Sequence, residues 1–66
     1  MLNSLKAKYR MRQLEKQVEQ FYKEMFFVPA PSTINLYDTE CIERIIDDIT
    51  LLGENKQLIE QLRGIQ

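Results

Sequence analysis

Residues 11–31 of the chain, MRQLEKQVEQFYKEMFFVPAP, decide its fold class. Apolar side chains recur there at alternating intervals of three and four residues, at Met11, Leu14, Val18, Phe21, Met25 and Val28. This rhythm is typical of one face of an α-helix. Pro29 and Pro31 end it, because proline cannot donate a backbone hydrogen bond and drives the residue before it out of the helical conformation. We predict a first helical arm over residues 3–27 and a connector over residues 28–37.

A second helical pattern follows the connector, over residues 38–64. Asp38 is a residue type that caps the start of helices. The apolar positions of one face are Ile42, Ile45, Ile46, Ile49 and Leu52, followed beyond Gly53 by Leu58 and Leu62. This second arm is either one helix with a weak point at Gly53 or two shorter helices that meet there. We favour the break, because the residues LLGEN at 51–55 are typical of a helix end followed by a new polar start.

The sequence therefore predicts an all-α fold, a single small helical domain over residues 1–66 in which the two arms form an antiparallel hairpin. The chain has no histidine and one cysteine, so it can form neither an internal disulfide nor a zinc site of the usual kind. Domains of this size usually need such a staple, or a partner, to be stable. We expect the hairpin to be completed by self-association, with a dimer favoured, into a helical bundle.

The apolar faces of the two arms are the candidate seam for self-association or for a partner protein. The face of the first arm starts as a narrow row and widens where aromatic residues cluster at its end. The predicted seam consists of Met11, Leu14, Val18, Phe21, Tyr22, Met25, Phe26, Phe27, Ile42, Ile45, Ile49 and Leu52.

The aromatic cluster at residues 21–27 permits two interpretations. Its large side chains point around most of the helix, so Phe27 is hard to bury in a hairpin of two helices. In the first interpretation the cluster is core, packed beneath the connector. In the second it anchors another protein, because aromatic side chains and methionine are enriched at the centres of protein interfaces.

The formal net charge of −1 hides an uneven distribution of charge. Residues 1–28 carry six basic and three acidic side chains, whereas residues 29–66 carry three basic and seven acidic ones. A chain with this balance is not a general nucleic-acid binder, but it has a basic end and an acidic region. Two copies packed antiparallel would bring the basic end of one against the acidic region of the other.

The basic end is the candidate contact for an anionic partner, which could be nucleic acid, acidic lipid, an acidic protein surface or the acidic arm of the protein itself. It includes like-charge pairs four residues apart, such as Lys6 with Arg10 and Lys8 with Arg12, which destabilise an isolated helix. An anion would relieve this repulsion, and an aromatic ring among the cations could stack on a base. The candidate residues are Lys6, Lys8, Tyr9, Arg10, Arg12 and Lys16.

Little in the sequence supports catalysis. Without histidine there is no serine or cysteine dyad, and we interpret Cys41, between Glu40 and Glu43, as a structural residue. The acidic residues near it lack the glycine-containing loop of a calcium site, so they are interpreted as a solvated helix face. We expect no catalytic residues, no metal site and no cofactor. A lone cysteine and the absence of an apolar signal segment predict a cytoplasmic setting.

These patterns predict a small non-enzymatic protein-binding regulator, adaptor or inhibitor that acts through helical surfaces on a larger protein. The first alternative is a nucleic-acid-binding regulator that uses the basic N-terminal helix. The second is a structural subunit of a larger assembly. Binding of mixed DNA and RNA that weakens steeply with salt would favour the first alternative.

Overall fold

Three α-helices make up the regular structure of the described residues. The computed structural model describes residues 2–53 and 55–65, and for residues 2–5 it describes only the backbone. The helices are α1 (Leu2–Glu24), α2 (Thr39–Leu52) and α3 (Lys56–Gly64). The prediction of an all-α fold is confirmed for this part of the chain.

Helix α1 ends at Glu24, three residues before the predicted end of the first arm at residue 27. The residues after Glu24 form a turn in which the backbone N–H of Val28 donates to the carbonyl of Met25 at 2.9 Å. This is the three-residue spacing of a tight turn and not the four-residue spacing of an α-helix. The cause is Pro29, which excludes the helical conformation at Val28 and offers no N–H to continue the ladder.

Helix α2 begins as the sequence predicts, with Asp38 as its N-cap. The backbone of Asp38 is extended, and its side-chain oxygen accepts a hydrogen bond from the N–H of Glu40 at 3.0 Å. This bond satisfies one of the donors that the first turn of a helix leaves without a partner. The cap thereby fixes where the connector stops and α2 begins.

The second arm is two helices, which confirms the favoured break at Gly53. Gly53 has a φ of 155° and a ψ of 166°, a backbone conformation that is open almost only to glycine. Its N–H donates to the carbonyl of Ile49 at 3.1 Å and closes α2. Asn55 then caps α3 by accepting from the N–H of Leu58 at 3.2 Å. Glu54, between the two helices, lies outside the described residues.

The three helices share one hydrophobic core, to which the connector contributes Leu36. The most enclosed side chains, such as Val18, Ile45 and Leu62, have no exposed surface. The buried members are Leu14, Val18, Phe21, Tyr22, Leu36, Ile42, Ile45, Ile46, Ile49, Leu58 and Leu62. Each helix contributes the face that the apolar spacing marks.

Helix α3 lies along α1, with its end beside the first half of α1 and its start beside the last turns. Gln17 of α1 donates a side-chain hydrogen bond to Gln61 of α3 at 3.3 Å. Ile65 lies near Met11, and Leu58 lies near Phe21. The molecule measures 40 × 20 × 19 Å, and a helix the length of α1 accounts for most of the long dimension because each residue adds about 1.5 Å.

Candidate protein-interaction surfaces

Most of the predicted seam residues pack between the helices of a single chain. The fully buried ones are Leu14, Val18, Phe21, Tyr22, Ile42, Ile45 and Ile49, and the half-buried ones packed against them are Met11, Met25 and Leu52. Phe26 and Phe27 are the two predicted seam residues that the fold leaves exposed. These two phenylalanines are therefore the part of the predicted seam that is most accessible from solvent.

Phe26 and Phe27 form an exposed aromatic pair at the end of α1. Their ring centroids are 5.8 Å apart with an angle of 88° between the ring planes, an edge-to-face arrangement. Phe26 is 88% exposed and Phe27 is 64% exposed. The interpretation of these two residues as core beneath the connector is wrong. The turn that follows Glu24 breaks the helical phase, so neither ring continues the buried face of α1.

The basic end of α1 is also exposed. Lys6, Lys8, Arg10 and Arg12 all face solvent, as does Lys16. The ion pair seen in the described residues joins Arg44 and Asp48 of α2 at 4.0 Å, so no described carboxylate pairs with these cations. The first turn of α1 contains no acidic residue to offset the positive end of the helix dipole.

Tyr9 completes the predicted anion contact and borders a groove between α1 and α3. The groove has a volume of about 360 Å³ and is walled mostly by apolar atoms. Met11 and Leu14 of α1 and Ile65 beyond α3 line it, and Arg10 is the charged residue of its lining. Sequence analysis missed this groove, because the position of Ile65 beside α1 depends on the turn at Gly53.

The solvent-facing side of α2 is acidic and ends in an exposed leucine. We call this surface the outer face of α2; it consists of Glu40, Glu43, Asp47 and Leu51. All four are exposed, and Leu51 is 85% exposed. The spacing of seven and then four residues from Glu40 through Asp47 to Leu51 places these three on one side of the helix. Arg44, four residues after Glu40 and seven before Leu51, lies on the same side; it is half-exposed and pairs with Asp48.

The remaining acidic residue, Asp48, faces inward and joins α2 to α1. The hydroxyl of Tyr22 donates a hydrogen bond to the carboxylate of Asp48. Burial of Tyr22, and after it the hydrogen bond and negative charge of Asp48, raise the pKa of the phenol well above its ordinary value. The nearby guanidinium of Arg44 opposes this shift. This contact is structural, because it joins the two helices at the edge of the core.

The described residues offer no arrangement suited to metal binding. No group of three or more Cys, Asp and Glu side chains lies together in residues 2–53 and 55–65. Cys41 is half-buried against the core, and its thiol donates to the carbonyl of Thr33 at 3.8 Å. The thiol thus helps to hold the connector against α2.

No protein-family model, no curated protein and no solved structure matches this chain. None of the helices in the described ranges combines the length and the hydropathy needed to cross a lipid bilayer.

Proposed function

We propose that this chain is a small non-enzymatic regulator, adaptor or inhibitor that binds a larger protein through its helical surfaces. The observation that carries the proposal is the exposed pair of Phe26 and Phe27 at the end of α1. The rings lie side by side on a turn braced by the core, so they require little ordering before they bind.

Two neighbouring phenylalanines supply the main requirement of a binding hot spot. Full burial of one such side chain contributes roughly 1.5–3 kcal/mol, and interface energy is concentrated in a few aromatic or arginine residues near the centre. Pro29, two residues after Phe27, limits the freedom of the turn. A hydrophobic pocket on the target would therefore accept both rings at a small conformational cost.

The test is affinity purification from the native cell with three forms of the chain. The wild type and a Tyr37→Ser control are compared with a double variant, Phe26→Ser with Phe27→Ser. Tyr37 is a matched control because it is an aromatic residue outside the proposed contacts, 73% exposed against 88% for Phe26 and 64% for Phe27. We expect one target protein to be retained by the wild type and the control, and lost by the double variant. Retention of the same proteins by all three forms would contradict the proposal.

The basic end of α1 supports nucleic-acid binding as the second candidate function. Its specific support is the exposure of Lys6, Lys8, Arg10 and Arg12 without a carboxylate partner among the described residues. Titration against mixed DNA and RNA tests it, because neutralisation of phosphates makes binding weaken steeply as salt rises. Tight binding with such a salt slope would displace the protein-binding function, and weak binding without a slope would eliminate the candidate.

We also propose that the two arms work as an antiparallel hairpin that self-association completes into a bundle. The solvent-accessible surface of the molecule is 5237 Å², whereas a compact protein of this mass exposes only about 4,400 Å². This difference supports self-association. The elongated chain therefore leaves extra surface available for association. The same extra surface also supports the alternative of a structural subunit inside a larger assembly. A chain with a single cysteine cannot form an internal disulfide, which supports the proposal of a reducing cytoplasmic setting.

A further inference from the structure

We infer that the groove between α1 and α3 is the docking site for the outer face of α2 from a second copy of this chain. The inference commits the self-association proposed above to a particular pair of surfaces, and these are separate from the Phe26 and Phe27 pair. The groove is apolar and next to positive charge, whereas the helix face carries an exposed leucine and negative charge. The two surfaces cannot meet within one molecule.

The groove presents an apolar floor next to positive charge. Met11, Leu14 and Ile65 are the apolar side chains of its lining, which we call the floor, and Arg10 is the charged side chain of the lining, which we call the edge. Lys6 lies one helical turn before Arg10 on the same side of α1, since residues four apart share a face. A helix that fits this groove must offer an apolar side chain to the floor and acidic side chains to the edge.

The outer face of α2 has these two properties. Leu51 is 85% exposed, and the exposed Asp47 and Glu43 lie four and eight residues before it on the same side of the helix. Leu51 would enter the apolar floor while the carboxylates lie toward Lys6 and Arg10. Charge pairing across the interface would set the orientation of the two helices and increase the rate of association.

The outer face of α2 cannot reach the groove of its own molecule. Leu51 lies beside Gly53 at the junction with α3, whereas the groove lies at the far end of α3, next to Ile65. Helix α3 has nine residues and therefore keeps the two surfaces about 13 Å apart. Two grooves paired with each other would bring together the Arg10 side chains of the two copies, which repel each other. The outer face of α2 from a second copy avoids both the distance within one molecule and this repulsion.

A two-fold dimer forms this contact twice. The groove of each copy holds the outer face of the other, so one rotation satisfies both, as is usual for dimers of identical chains. The arrangement neutralises the basic start of α1 with the acidic side of α2. It thereby removes the repulsion between like charges that the isolated molecule carries.

A charge-swap experiment tests the inference by sedimentation equilibrium at micromolar concentration. One variant reverses the groove edge, with Lys6→Glu and Arg10→Glu. The other reverses the outer face of α2, with Glu43→Lys and Asp47→Lys. We expect each variant alone to associate at least about tenfold more weakly than the wild type, and an equimolar mixture to regain the dimer. In the mixture, each of the two contacts again joins opposite charges.

A matched control separates this contact from a general effect of charge. The control variant, Glu19→Lys with Glu24→Lys, makes the same change of charge as the α2 variant, but at exposed positions of α1 outside the groove. It should dimerise as the wild type does. Circular dichroism of every variant verifies that the helices remain formed, since all the substitutions are at exposed positions.

A photo-crosslinking residue in place of Tyr9 gives an independent measurement. Mixed isotopically light and heavy chains should yield crosslinks between copies that map to residues 43–51. A monomeric wild type in low salt, unimpaired charge-reversed variants, a mixture that stays monomeric, or crosslinks that map elsewhere would each overturn the inference. The variant without Phe26 and Phe27 should still dimerise, so failure of this inference and failure of the proposed function are distinguishable.

Discussion

The two halves of α1 belong to one continuous helix but have opposite surroundings. The second half contributes Leu14, Val18 and Phe21 to the core, whereas residues 6–10 are all exposed. Packing against α2 and α3 holds the second half in place. The first half has no such support and carries repelling cations. The difference indicates that the core maintains the fold, while the basic end adds no buried side chain at residues 6–10 and is free to serve as the association surface proposed above.

The largest effect should come from removing a core side chain. Ile45→Ala deletes a fully buried side chain of α2 and should lower the free energy of unfolding by about 2–5 kcal/mol. Phe26→Ala deletes a larger but exposed side chain and should change it by less than about 0.5 kcal/mol. Urea titrations of the two variants measure the contrast. Equal destabilisation would mean that the packed and exposed regions are not distinct.

The next effect tests the turn that brings α3 against α1. Gly53→Ala should lower the free energy of unfolding by about 1–3 kcal/mol, because alanine rarely adopts the backbone conformation of Gly53. The cost is purely conformational, since an added methyl group at this position meets no atom within 4 Å. Gly64→Ala is the control, because Gly64 is helical and its added methyl group is also unobstructed. Destabilisation by Gly64→Ala and not by Gly53→Ala would refute the role of the turn.

A smaller effect tests the hydrogen bond between α1 and α2. Tyr22→Phe removes the donor to Asp48 and should lower the free energy of unfolding by about 1 kcal/mol, less than for a fully buried charged acceptor because water reaches this carboxylate. Tyr37→Phe is the exposed control. Thermal melts of both variants measure the difference. No difference between them would show that the bond adds nothing to the packing of the two helices.

The same tyrosine predicts a dependence on alkaline pH. The folded state raises the pKa of Tyr22, so it keeps the phenol proton at a pH where the unfolded chain, with a pKa of about 10, releases it. This contribution to stability is complete below pH 10 and is lost as the pH rises above that value. The stability difference between wild type and Tyr22→Phe should therefore shrink above pH 10. A constant difference would contradict the cause assigned to the shift.

The smallest effect is expected at the basic end of α1. There a single substitution should stabilise the helix of the monomer but weaken dimerisation. Lys6→Glu replaces a repelling pair with an attractive one to Arg10, which should stabilise the helix of the monomer by a few tenths of a kcal/mol, roughly 0.5 kcal/mol at most. The same change reverses a charge at the groove and should weaken dimerisation. Circular dichroism at low concentration measures the first effect and sedimentation measures the second. If both change in the same direction, the basic end is not an interface.

The sequence was enough to predict the parts of the fold that depend on local rules. The spacing of Leu14, Val18 and Phe21 predicts a buried face, and Asp38 and Gly53 mark a helix start and a helix break. These features are local because capping, backbone conformation and helical periodicity each involve only a few neighbouring residues. The structure agrees with the sequence at all of these positions.

Other features depend on how distant segments meet, and local rules do not reach them. The effect of Pro29 extends three residues further back than predicted, which ends α1 at Glu24 and leaves Phe26 exposed. The bond from Tyr22 to Asp48 depends on how α2 crosses α1. The groove depends on where α3 ends beside Met11. Such features follow from three-dimensional packing and not from spacing along the chain.

Hydrogen–deuterium exchange at several protein concentrations tests whether the basic end of α1 docks a second copy. It compares the backbone amides of residues 6–12 with those of residues 14–22 in dilute and in concentrated protein. We expect residues 6–12 to exchange fast when dilute and to become protected when concentrated, while residues 14–22 stay protected throughout. Raising salt from about 0.1 M to about 1 M shortens the reach of charges from about 10 Å to about 3 Å and should remove the gain in protection. Exchange of residues 6–12 that is independent of concentration would contradict the claim that this end of α1 docks a second copy.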